Sequence, residues 1–143
     1  MTTSVEEIVR QEIEDLHMFF IGWFSGAILA TDFDVGFLAR FGPDFRLIPP
    51  AGSILTLDEL AASVRKGYGT NPDFRIAIRN VTVRRVLDSH ILATYEEWQR
   101  NALASTPPEN ARIATVLFDH SEPLRWLHIH ETRMRSTVDA YDF

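Results

Sequence analysis

Cysteine is missing from all 143 residues. Disulfides, zinc–thiolate centres and thiol nucleophiles are therefore excluded. Long apolar runs are missing too, since none approaches the ~18 residues of a membrane-spanning helix. Positive charge is in deficit, with 14 Lys and Arg against 20 Asp and Glu and a net charge of −6. That balance argues against a nucleic-acid partner or an anionic membrane surface. The first residues, Met1-Thr2-Thr3-Ser4-Val5-Glu6-Glu7, lack the basic flank of a signal peptide. A cytoplasmic location is the expectation. Internal repeats and low-complexity segments are also absent. What is present is an ordinary globular composition, 45% hydrophobic and 24% charged. The length suits one domain, residues 1–143, with one sizeable core.

The stretch Leu124-Arg125-Trp126-Leu127-His128-Ile129-His130-Glu131-Thr132-Arg133-Met134 reads as one long strand. Strict alternation puts Leu127, Ile129 and Glu131 on one face, and Trp126, His128, His130 and Thr132 on the other. The apolar set belongs on the core. An acidic residue just past two apolar ones then marks the mouth of a pocket, with the histidines outside.

Upstream, Ser4-Val5-Glu6-Glu7 has the spacing of a capping box. Val5, Val9, Ile13, Leu16, Phe20, Trp23 and Ala27 follow as one helical stripe. Past Met18 that helix is apolar nearly all round, so its end is buried. Asp32 and Asp34 suit a helix cap better than a pair of catalytic acids. A second helix is predicted from Val35 to Phe41, closed by Gly42-Pro43. A short strand follows from Phe45 to Ile48. Thr56-Leu57-Asp58-Glu59 is another capping box, opening a third helix through Tyr68.

From Phe74 the chain turns β-branched. The apolar phase slips near Asn80, which predicts a bulge in a strand from Phe74 to Leu87. Further strands are predicted over His90 to Asn101, Ala111 to Asp119, and the stretch described above. A short tail runs from Val138 to Phe143. Helices first and an antiparallel meander second define an α+β domain. Three N-terminal helices pack in the concave face of a curved, mostly antiparallel sheet, a cone-shaped barrel with a cavity at its open end.

This layout resembles the nuclear transport factor 2-like superfamily, also called cystatin-like α+β barrels. Phe41-Gly42-Pro43-Asp44-Phe45-Arg46-Leu47-Ile48-Pro49 resembles the segment after the second helix of that group. Thr94-Tyr95-Glu96-Glu97-Trp98-Gln99 and Trp126-Leu127-His128-Ile129-His130-Glu131-Thr132 resemble two strands of the association domain of calmodulin-dependent protein kinase type II and its small bacterial relatives. In that branch arginines line the pocket on these strands. The matching positions here are Glu97 and Glu131, so the resemblance implies an acidic pocket suited to a cationic or neutral polar ligand. The superfamily includes isomerases, dehydratases and polyketide cyclases, whose catalytic sets are not matched residue by residue. It also implies homodimers packed through the outer sheet face.

Tyr95, Glu97 and Glu131 are thus the candidate catalytic groups. Tyr95 and Glu97 share a face with Ala93 and Gln99, and desolvation would raise a buried carboxyl towards neutrality. The competing reading pairs Glu97 with Arg75, Arg79 or Arg133 in a structural ion pair. Trp23, Tyr68 and Phe20 are the candidate ligand-binding wall. His128-x-His130 has the spacing of two metal ligands but lacks an evident third, so neither metal nor cofactor is expected. Trp98, Trp126, His128 and His130 form an expected outer patch for the homodimer. The expected function is small-molecule binding in the cone, with isomerisation, dehydration or cyclisation by cofactor-free proton transfer as its enzymatic form. The alternative is a non-catalytic dimerisation or association module.

Overall fold

Ser4 caps helix α1 (Val5–Ser25), its hydroxyl accepting from the Glu7 N–H at 3.2 Å. The structure, a computed structural model, describes residues 3–135 and 141–143. The predicted start of the tail at Val138 lies outside the described residues. The α1 stripe of Val9, Ile13, Leu16, Phe19 and Trp23 is buried. Gly26, at φ 77°, ends the helix in the left-handed region that glycine tolerates.

The predicted second helix is shorter and earlier than its sequence pattern implied. Helix α2 is Phe33–Gly36, flanked by 3₁₀ turns at Ala30–Asp32 and Leu38–Arg40. An aromatic row sets this path. Phe33, Phe37, Phe41 and Phe45 follow at every fourth residue, with consecutive ring centroids 5.1, 4.8 and 4.6 Å apart. Val35, predicted to open that helix, is 82% exposed. Strand β1 (Phe41–Ile48) therefore begins before Gly42-Pro43 rather than after it. Gly42 fits there because a Cβ would lie 2.9 Å from the Leu127 side chain.

Strand β2 (Leu55–Thr56) leads into helix α3 (Leu57–Lys66), and Thr56 and Glu59 complete the predicted capping box. Strands β3 (Arg75–Val86), β4 (His90–Arg100), β5 (Asn110–Asp119) and β6 (Arg125–Arg133) form the meander. The six strands run in the order β2-β1-β6-β5-β4-β3. Only β1 against β6 is parallel among the described pairs. Three helices pack against this curved sheet, which does not close into a complete barrel. The bulge expected near Asn80 is present. Arg79 faces Glu96 and Thr82 faces Thr94, with Asn80 at φ 54°.

A second bulge corrects the reading of β6. Leu117 pairs with His128 but Phe118 pairs with Trp126, leaving Leu127 as the extra residue. Strict alternation therefore fails between Trp126 and His128. Trp126 turns inward with Ile129 and Glu131, is fully buried, and packs on Phe118 at 4.7 Å. Its indole N–H donates to Glu12 at 2.9 Å. The expected outer aromatic patch is corrected with it. Trp98 does lie outside, but Tyr141 covers it at 5.1 Å and the Arg79 guanidinium at 4.6 Å. What the outer face keeps is Ile113, Thr115, His130 and Thr132, all exposed, beside half-buried Leu117 and His128.

Candidate functional site

The inner face of the meander turns polar at one end. On β4, Ile91 and Ala93 give way to Tyr95, Glu97 and Gln99. On β5, Phe118, Val116 and Ala114 give way to Arg112 and Asn110. On β6, Ile129 gives way to Glu131. The three strands pair so that Glu97 faces Arg112 and Ala114 faces Glu131. From the helical side α1 adds His17, buried one turn after Ile13.

These groups are joined by hydrogen bonds. His17 Nε2 meets Glu97 Oε1 at 3.0 Å, and His17 Nδ1 meets the Ile13 carbonyl at 2.6 Å. A carboxylate and a carbonyl only accept, so both ring nitrogens must donate and the ring is imidazolium. Gln99 donates to Glu97 Oε2 at 2.6 Å. Asn110 and Arg112 donate to Gln99 Oε1 at 3.1 and 3.3 Å. Arg112 also reaches Asn110 at 2.8 Å and Glu131 Oε1 at 3.2 Å. Arg112 Nε is buried without a hydrogen-bond partner among the described residues. The Tyr95 hydroxyl and Glu131 Oε2 make no hydrogen bond among the described residues, although both side chains are nearly buried.

The two carboxyls experience different fields. Burial pushes Glu97 up, but the His17 charge and hydrogen bond, then Arg112 and Gln99, outweigh it and hold its pKa at about 2. Burial also opposes a charged His17, yet Glu97 and the Ile13 carbonyl raise its pKa above 6.5. Glu131 is raised to about 7, by burial first and by the Glu97 charge second, with Arg112 pulling only part of the way back. Burial and the two carboxylates hold Tyr95 well above 10, so its phenol stays a neutral donor. One carboxyl is thus fixed as an anion while the other titrates near neutrality. That divergence separates a structural anion from a candidate base.

These side chains floor a cavity of about 230 Å³ that opens to solvent between the sheet and helices α1 and α3. His17, Tyr95, Glu97, Gln99, Arg112 and Glu131 supply its polar lining. Leu16, Phe20, Phe41, Leu60, Val64 and Ile129 are among its apolar walls. Of the expected site residues, Tyr95, Glu97, Glu131 and Phe20 therefore meet here. Trp23 and Tyr68 do not. The Trp23 indole donates to the Val64 carbonyl at 2.7 Å, and the Tyr68 hydroxyl donates to the Ile28 carbonyl at 2.6 Å. Their rings, 4.5 Å apart, brace the helices instead of lining the cavity. Asp34 sits at the surface, 3.5 Å from Arg65.

Two site residues escaped the sequence reading, His17 and Arg112. Each carried a signal. His17 is the polar member of an apolar helical stripe, between Leu16 and Phe20. Arg112 is in phase with Ala114, Val116 and Phe118, the inward set of β5. Their presence corrects two expectations. The partner of Glu97 is His17, not Arg75, Arg79 or Arg133. The pocket is also not simply acidic, because two cations balance its carboxyls. His128 and His130 lie across the sheet from it, and no trio of His, Asp or Glu able to hold a metal occurs among the described residues.

Three helices packed against a curved six-stranded sheet make an α+β fold of the nuclear transport factor 2-like, or cystatin-like, superfamily, and solved structures place this fold there. A nuclear transport factor 2-like protein of unknown function from Pseudomonas aeruginosa is 27% identical, with a TM-score of 0.79 over 90% of this chain and 99% of that one. The calcium/calmodulin-dependent protein kinase II hub of S. rosetta is 9% identical, with a TM-score of 0.71 over 94% of this chain and 100% of the hub. A putative association domain of the type II kinase from Thiobacillus denitrificans is 18% identical, with a TM-score of 0.55 over 73% of this chain and 88% of that one. No family model and no curated protein matches the chain. No helix among the described residues is long and apolar enough to cross a membrane.

Proposed function

We propose that the protein binds a small, partly apolar carbonyl compound and moves a proton on it without a cofactor. The observation that carries this reading is that Tyr95 and Glu131 line one cavity open to solvent, where the Tyr95 hydroxyl makes no hydrogen bond among the described residues and burial raises the Glu131 carboxyl to about 7. Glu131 Oε2 removes a proton from the carbon next to the carbonyl. The C–H electron pair becomes a C=C bond, and the carbonyl π pair moves onto oxygen. The neutral phenol of Tyr95 donates a hydrogen bond to that oxygen as its charge develops. In a β,γ-unsaturated ketone Glu131, now protonated, gives the proton to the γ carbon. The oxygen pair re-forms C=O, the new C=C shifts to the α,β position, and the old β,γ pair makes the C–H bond, which completes an isomerisation. Glu97 and His17 hold the floor in place and take no part in the transfer.

The test uses a six-membered β,γ-unsaturated cyclic ketone and follows the absorbance of its conjugated product. Glu131→Gln should lower the rate by about 10²–10⁴-fold, the usual worth of a positioned base. Tyr95→Phe should lower it by about 10²–10³-fold, as loss of an oxyanion donor does. The wild-type rate should rise with pH through about 7 as Glu131 ionises. Turnover by wild type no faster than by Glu131→Gln would sink the reading.

A second reading, an association module, is favoured by the kinase hub and association domains among the similar structures. It is compatible with the first. On this reading the chain forms a homodimer through the outer sheet face, where Ile113 is 44% exposed beside Leu117, His128 and His130. Ile113→Asp would place a charge there without touching the core and should yield monomers in sedimentation. Wild-type protein sedimenting as a monomer at micromolar concentration excludes this dimer.

A further inference from the structure

A second hollow of about 500 Å³ adjoins the site and shares Phe24, Ser63, Phe74 and Gln99 with its lining. Resting on the proton-transfer reading above, we propose that this outer chamber is a tail subsite and that the natural ligand is an elongated amphiphile, a carbonyl head bearing an unbranched hydrocarbon tail. The inner cavity of about 230 Å³ is smaller than the ~300–1,000 Å³ usual for a small-molecule site. The two chambers together reach that range, and the shared residues set them side by side.

The chemistry of the outer lining favours an apolar occupant. Three of its five polar side chains are already engaged within the protein, and the other two are the small hydroxyls of Ser63 and Ser105. The Thr70 hydroxyl donates to the Gly67 carbonyl at 2.7 Å, and the Asn71 amide donates to the Asn101 carbonyl at 2.7 Å. Gln99 is held by Glu97, Asn110 and Arg112. What remains on offer is the Phe24 and Phe74 pair, edge to face at 5.7 Å, with Ala102, Leu103 and Ala104 and the hydroxyls of Ser63 and Ser105. Leu103 is 72% exposed at the rim. The loop that carries these residues is tied down. Asn101 donates to the Asp73 carbonyl at 2.9 Å, the Ala102 N–H to Pro108 at 3.2 Å, and the Ser105 N–H to Ala102 at 2.9 Å. The chamber therefore exists before any ligand arrives.

The probe is a homologous series of straight-chain methyl ketones, with binding measured by calorimetry. Each methylene buried should tighten binding about threefold to fourfold. In the wild type the gain should continue past the length that fills the inner cavity. Ala104→Trp, at an exposed loop position that lines only the outer chamber, should end the gain at that length. Identical chain-length curves for wild type and Ala104→Trp would overturn the tail subsite, as would a wild-type curve that levels off once the inner cavity is full. Failure of the underlying reading looks different: the shortest ketones would bind Tyr95→Phe as well as wild type.

Discussion

Glu97→Gln should lower the unfolding free energy by about 3–5 kcal/mol near pH 6, the loss expected when one partner of a buried ion pair is removed. The Glu97 and His17 side chains are only 8% and 5% exposed. Solvent cannot replace what the carboxylate supplies. Its two oxygens accept from His17 and from Gln99, at 3.0 and 2.6 Å. A glutamine keeps one accepting oxygen and presents an NH₂ group where the other stood. One donor then faces another donor, and the His17 imidazolium loses its counter-charge. The variant should hold His17 neutral, which orphans the Nδ1 or Nε2 contact as well. A double variant, His17→Leu with Glu97→Leu, removes both charges together and should recover part of the loss, because apolar replacements of buried pairs are often tolerated. Urea denaturation of the wild type, the single variant and the double variant measures all three. A Glu97→Gln change of less than about 1 kcal/mol, the ordinary worth of one hydrogen bond, would show that the pair is not a structural anchor.

Most of the fold was legible because its signals are local. The capping sequences at Ser4 and Thr56 and the slip at Asn80 each appear in the structure. Alternation on β4 put Tyr95, Glu97 and Gln99 on one face, as observed, because no bulge interrupts that strand's pairing with β5. The errors came where a non-local contact overrode a local rule. Leu127 bulges out opposite the step from Phe118 to Leu117, and nothing in its own neighbours announces this. The consequence was large, since it moved Trp126 from an imagined interface into the core. The second helix failed for a related reason. Phe33, Phe37, Phe41 and Phe45 have a spacing that suits a helix, but their rings pack as the chain passes from α2 into β1. The site was half legible. Carboxyls attract notice as candidate bases, whereas His17 and Arg112 looked like ordinary members of a helix and a strand. Only the tertiary structure shows that those two cations decide which carboxyl stays ionised.

The stability of the wild type should peak near pH 4.5 and fall as the pH rises from there to about 7, and Glu131→Gln should remove much of that fall. Three groups at the site set the profile. The depressed group is Glu97, from 4.5 to about 2. Its contribution is present above 4.5 and is lost as the pH drops towards 2. Glu131 is raised from 4.5 to about 7. Between those values the unfolded chain has released this proton and the folded protein has not, so stability declines with rising pH until the folded group ionises. His17 is raised above 6.5. Its contribution is complete below 6.5 and disappears as the pH climbs through the folded value. Both raised groups therefore lower stability as the pH rises, Glu131 between 4.5 and about 7 and His17 above 6.5. Arg112 faces Glu131 at 3.2 Å and opposes the trend, but burial and Glu97 outweigh it. A raised carboxyl of this size costs up to about 3 kcal/mol once it is ionised. Glutamine cannot ionise and still offers an oxygen to Arg112. At pH 8 the variant should be more stable than the wild type by about 2 kcal/mol, while near pH 4.5 the two should differ little. Urea midpoints at the two pH values decide the matter. A Glu131→Gln protein less stable than wild type at pH 8 would mean that the Arg112 pair outweighs burial, that Glu131 is ionised well below neutrality, and that it is not poised as a base.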